Sequence, residues 1–96
     1  MRIEWSEHVY SDLSEILIYY SDIDKEELGY EIINDIFNSA KILLDFPMSG
    51  RVGKFNDTRE LVNKSFPYIT IYRIISHDLI KILTVVHTSR LLPDHL

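Results

Sequence analysis

The sequence predicts a small α+β fold of order β-α-α-β-β-β, in which a two-helix antiparallel hairpin packs on a small antiparallel sheet. Three observations carry this. Apolar residues recur at helical spacing through two stretches within residues 7–45. Three runs rich in β-branched residues follow, at 58–63, 68–75 and 79–87. The 96 residues, 46% hydrophobic with only three glycines and three prolines, suffice for one continuous core but not for two. Residues 1–96 therefore read as a single domain.

"RIEW" opens as a short strand with Ile3 and Trp5 on one face. Ser6 fits an N-cap, and Glu7 suits the positive end of a helix dipole. Val9, Leu13, Ile16, Leu17 and Tyr20 then mark an amphipathic helix over 7–21. After "SDID", Asp24 and Glu27 have capping-box spacing, and Ile23 and Leu28 have that of a hydrophobic staple. Leu28, Ile32, Ile36, Ala40 and Leu43 carry the second helix forward, with Ile33, Phe37 and Leu44 widening its stripe. Pro47 should stop it near Asp45. So short a link makes the two helices an antiparallel hairpin.

"PMSGRVGKFND" reads as a loop. The strands "TRELVN", "YITIYRII" and "LIKILTVVH" follow, the last two joined by a turn at "SHD". Both are apolar on both parities, so the helices should cover one face and leave the other only partly wet. A three-residue turn would set Arg73 opposite Lys81 and place Arg73, Lys81 and His87 on one face, where Arg59 could join them. A two-residue turn would set Arg73 opposite Ile82 and Tyr68 opposite His87. The sequence leaves both registers open. Arg73 interrupts an apolar run, where a cation needs a partner; Glu15 and Asp12 of the first helix are candidates.

Composition excludes several classes. Without cysteine there is no disulfide framework and no thiolate zinc site. His8, His77, His87 and His95 form no pair at i, i+4, so neither a metal nor another cofactor is expected. "SGRVGK" lacks the ending of a phosphate-binding loop, and no nucleophile elbow is present. No stretch reaches the roughly 20 apolar residues of a membrane span. "MRIEWSEHVY" lacks the apolar core of a signal peptide, so the sequons "NDT" and "NKS" read as chance and the expected location is cytoplasmic. The net charge of −5 is uneven: residues 1–40 hold ten acids against two bases, and residues 41–96 hold eight bases against five acids. An acidic chain is a poor free-standing nucleic-acid binder. What remains is an Arg/His anion site, with His87 able to move a proton near neutral pH.

Five blocks, "DLSEILIYY", "LLDFPMSGR", "TREL", "PYITIYRI" and "IKILTVVHTSR", stand in the order seen in RelE/ParE-type toxins of bacterial type II toxin–antitoxin systems. The chain resembles that superfamily over roughly residues 3–93, and looks closer to its ParE branch. The resemblance implies a helical hairpin on an antiparallel sheet and a cognate antitoxin that wraps and neutralises the toxin. Two mechanisms follow from it. A ParE-like toxin poisons DNA gyrase without chemistry of its own, with Lys81, His87 and Arg90 as target-binding candidates. A RelE-like toxin cuts mRNA on the ribosome, with Arg59, Arg73 and His87 handling the scissile phosphate. Lysines that often alternate along the matching strand of mRNA-cutting members are missing here: "TRELVN" offers Arg59 and then Leu61.

Overall fold

A computed structural model of the chain describes residues 1–89. The elements run β1 (Arg2–Trp5), α1 (Glu7–Asp22), α2 (Glu26–Ala40), α3 (Ile42–Asp45), β2 (Arg51–Val52), β3 (Thr58–Val62), β4 (Tyr68–Ser76) and β5 (Leu79–His87). The strands form one sheet of order β1-β5-β4-β3-β2. The α+β expectation holds, with two corrections to the sheet: the segment read as a loop holds the two-residue strand β2 at its outer edge, and one pairing is parallel. Its hairpin-linked strands are antiparallel, but β1 lies parallel to β5, so the sheet is mixed. The pairing follows from α1 and α2 standing between β1 and the rest of the sheet. The chain returns to the edge of β5 across the helices rather than through a tight turn.

The helices cover one face. Val9, Leu13 and Ile16 of α1 and Ile32 and Ile36 of α2, with Leu43, meet Tyr68, Tyr72, Ile80, Ile82 and Val85 from the sheet. Trp5 packs edge-on against Phe37, ring centroids 4.7 Å apart, which fixes β1 to α2. Where α2 crosses α1, a Cβ on Gly29 would stand 3.3 Å from Tyr20 Cβ, so the crossing is tight enough to suit glycine. The second helix breaks at Lys41, whose N–H bonds back to Asn38 and Ser39. The one-turn α3 ends at Asp45 as Pro47 dictates, and Leu44 stays exposed rather than widening the core stripe.

The expected capping box of α2 does not form. Asp24 has φ 58°, and the N-cap of α2 is Lys25, whose side chain makes no cap bond. Asp24 instead closes α1. The Lys25 N–H reaches Tyr20 O at 2.7 Å and the Asp24 N–H reaches Ser21 O at 3.1 Å, the two bonds of a Schellman motif. The left-handed position in that motif prefers glycine. Asp24→Gly should therefore raise stability by about 0.5–1 kcal/mol, read as a higher urea midpoint at unchanged m-value. The staple is weak too, since Ile23 remains 44% exposed.

Ser6 does occupy the N-cap of α1 in extended geometry, but its hydroxyl does not cap the helix. It donates to Leu83 O at 2.9 Å, while the Ser6 N–H donates to Ile82 O at 3.0 Å. These bonds close the edge of β5 just where β1 runs out at Trp5. Asp12 continues the seam six residues later, accepting the Val85 N–H at 3.0 Å and the Thr84 hydroxyl at 2.7 Å.

The hairpin of β4 and β5 uses both registers. Its turn is His77–Asp78, with Ser76 opposite Leu79. Ile75 is then an extra residue on β4, so Arg73 comes to face Lys81 and Tyr72 faces Ile82. Leu83 is an extra residue on β5, which restores the first count, so Thr70 faces Val85 and Tyr68 faces His87. Two bulges on opposite strands cancel.

Candidate functional site

The bulge at Leu83 separates the residues that one face was expected to hold. Arg73 and Lys81 point away from the helices, whereas His87, opposite Tyr68, lies on the helix side with Val85. Arg73 and the Tyr68–His87 pair are five residues apart along β4, about 16 Å. The shared Arg73–Lys81–His87 face is thus corrected: the extra residue turns the parity of β5 over between Lys81 and His87.

Arg73 does not pair with Glu15 or Asp12, which belong to α1 on the other side of the sheet. Its guanidinium donates to Asn56 O at 3.4 Å, and Lys81 stands opposite it. Like charges so placed repel, and Glu4 of β1 supplies the compensating anion, its carboxylate 3.9 Å from Lys81 Nζ. Arg59 is occupied as well. Its guanidinium donates to Gly50 O at 2.8 Å and to Met48 O at 3.3 Å, bracing the loop after α3. Arg59 and Arg73 border one hollow of about 560 Å³ together with Asp57, Thr58 and Val52, but His87 is not in it. Nearby, Glu60 is buried and accepts Arg51 Nε at 2.9 Å and the Lys54 N–H at 3.3 Å.

His87 answers a question posed by "VVHTSR", a branched strand running into polar residues. Its ring packs edge-on to Tyr68 with centroids 5.2 Å apart, and Nδ1 accepts the Ser89 N–H at 3.0 Å. The Ser89 hydroxyl lies 2.7 Å from the same nitrogen, and the Thr88 N–H binds Pro67 O at 2.8 Å. The imidazole therefore ends the strand by fastening the turn. With Nδ1 accepting, the neutral ring carries its proton on Nε2. Arg90 and His95 lie outside the described residues.

His87 also lines a cleft of about 320 Å³ between α1 and the ends of β4 and β5. Asp12, Glu15, Tyr19 and Tyr20 of α1 face Tyr68, Val85 and Ser89 across it. Sequence reasoning gave Tyr20 to the apolar stripe of the helix and Asp12 and Glu15 to Arg73, left Tyr19 out, and did not bring the four together as a site. Their signal was present, since Asp12, Glu15 and Tyr19 follow at steps of three and four, with Tyr20 next to Tyr19 and eight residues beyond Asp12. Among the described residues no group of three or more His, Asp and Glu side chains could hold a metal, and no helix is long and apolar enough to cross a membrane.

The Tyr72 phenol departs clearly from its ordinary value. Burial pushes the Tyr72 phenol up, partly offset by the hydrogen bond from the Gly50 N–H and by the Arg59 charge. Tyr72 therefore stays neutral and holds Pro47 O at 2.7 Å with its proton.

Comparison with known proteins agrees with this architecture. The family described as the ParE toxin of type II toxin–antitoxin systems, parDE, matches residues 3–92. A protein of Sinorhizobium fredii (strain NBRC 101917 / NGR234) named "Putative toxin Y4kP" is 37% identical over 93 residues, covering 97% of this chain and 94% of its own. A solved structure described as the chromosomal ParDE TA system from P. aeruginosa superposes with a TM-score of 0.81 over 93% of this chain and 97% of its own. At 22% identity that likeness speaks for the fold. The family match over nearly every residue, with a relative of 37% identity beside it, places this chain in the ParE toxin family of type II toxin–antitoxin systems.

Proposed function

We propose that the protein arrests growth by poisoning DNA gyrase and is neutralised by a cognate antitoxin. The observation that carries this choice over mRNA cleavage is the separation of His87 from the two arginines. Cleavage of a phosphodiester needs a proton-transfer group within hydrogen-bond reach of the atoms that the cations stabilise. Arg59 and Arg73 border one hollow, while His87 fastens a turn about 16 Å along the sheet. The acidic total also works against long-range attraction to ribosomal RNA.

A plasmid reaction with purified gyrase, ATP and the folded toxin tests the proposal. The expected result is accumulation of linear, gyrase-cleaved plasmid, suppressed when the antitoxin is added. His87→Gln should leave the yield of cleaved plasmid within about threefold of wild type, because a glutamine can still accept the Ser89 N–H. If His87 were the acid or base of an RNase, the same change should cost about 100-fold or more in mRNA cleavage. Unchanged supercoiling with a toxin that kills cells would overturn the gyrase reading.

A further inference from the structure

We propose that the cleft between α1 and the ends of β4 and β5 is a receptor for an arginine side chain presented by a basic segment of a protein partner. Its walls are two edge-to-face aromatic pairs. Tyr19 and Tyr20 of α1 stand with ring centroids 5.0 Å apart, and Tyr68 and His87 with centroids 5.2 Å apart. Glu15 and Asp12 line the same space, and Ile16 and Val85 complete it.

The two carboxylates have different duties. Asp12 is spent on the Val85 N–H, the Thr84 hydroxyl and His8, whose Nε2 lies 3.4 Å from it. Glu15 makes no hydrogen bond or ion pair among the described residues, and none of the described lining residues is a lysine or arginine. An unpaired carboxylate beside tyrosine rings attracts a cation twice, through its charge and through the negative faces of the rings. An anion entering the same space would meet Asp12 and Glu15.

Guanidinium suits this site better than ammonium. It is planar, weakly hydrated, stacks on aromatic rings and offers a fork to a carboxylate. About 320 Å³ is near the lower bound of small-molecule pockets, and it accommodates a guanidinium with part of its stem. The charge around the cleft favours a basic segment over a free ligand. Its α1 wall belongs to the half of the chain with ten acids and two bases, a field that steers a basic peptide toward that wall. The inference does not depend on whether gyrase is the target.

The test is an NMR titration of the full-length protein with N-acetyl-arginine amide, run beside the isosteric neutral citrulline derivative and the lysine derivative. Arginine should shift the Tyr19, Tyr20 and Tyr68 ring signals saturably, citrulline should not, and lysine should bind more weakly. Glu15→Gln and Tyr19→Leu change exposed side chains, so both variants should unfold at the wild-type temperature while each weakens arginine binding about threefold. An equal response to citrulline, lysine binding as tight as arginine, or unchanged affinity in both variants would overturn the proposal. So would finding that deletion of residues 90–96 shifts the same ring signals and tightens arginine binding, because the chain's own C-terminal segment would then be the occupant.

Discussion

Gly50→Ala is expected to destabilise the fold by about 3 kcal/mol, far more than one methyl group on a loop normally costs. A Cβ at Gly50 would stand 2.6 Å from Tyr72 Cε1 and 2.7 Å from its oxygen. The ring cannot swing clear, because Tyr72 is fully buried in the centre of the sheet. It must shift, and the shift breaks two bonds together: the Gly50 N–H to the phenol oxygen at 2.9 Å, and the phenol to Pro47 O at 2.7 Å. Tyr72→Phe keeps the ring and loses only those bonds, at about 2 kcal/mol. The double variant should cost less than the sum, since both changes remove the same interactions. Urea unfolding of the four proteins decides this, and strict additivity would sink the account.

The same phenol gives a pH signature. Burial raises its folded pKa above the unfolded value of about 10, so the folded state holds the proton more tightly. Its contribution is complete below about pH 10 and is lost as pH rises through the folded value. Tyr72→Phe should remove that alkaline decline and leave stability at neutral pH merely offset.

The helices were legible because their apolar spacing is long and regular. Val9, Leu13, Ile16, Ile32, Ile36 and Leu43 are all buried as their positions imply. The strands were legible as strands, but not their register. Apolar residues occupy both parities of "ITIYRII" and "LIKILTVV", so the alternation that normally pins a register carries no information here. The turn is the two-residue one, yet each candidate register holds over part of the hairpin, with Ile75 and Leu83 taking up the difference. The face shared by Arg73, Lys81 and His87 failed for the same reason, since one extra residue decides which face His87 joins. Nor could four residues of "RIEW" announce a parallel pairing with β5, which is a contact between the two ends of the chain. Asp24 misled because a left-handed helix end and an N-cap draw on the same short polar side chains.

Asp12 is where those two failures meet, and Asp12→Ala should cost about 3 kcal/mol. The bulge at Leu83 lies where β1 has ended, so the outer edge of β5 needs partners from elsewhere. Ser6 serves the Leu83 carbonyl, and Asp12 serves both the Val85 N–H and the Thr84 hydroxyl. The Asp12 side chain is only 15% exposed, so water replaces it poorly. Asparagine retains one accepting oxygen without the charge and should recover about half of the loss. Hydrogen exchange gives the sharper reading: the Val85 amide should exchange at least about tenfold faster in Asp12→Ala, at a denaturant-free stability still well above zero. Unchanged Val85 protection would mean that the bulge holds itself. If the bond does hold it, the consequence reaches the cleft. A one-residue slip beyond Leu83 would exchange Val85 and His87 for Thr84 and Val86 on the helix face. The aromatic wall opposite Tyr19 and Tyr20 would lose its histidine. One carboxylate on α1 thereby holds the register that builds the cleft, leaving Glu15, one turn later, free to bind.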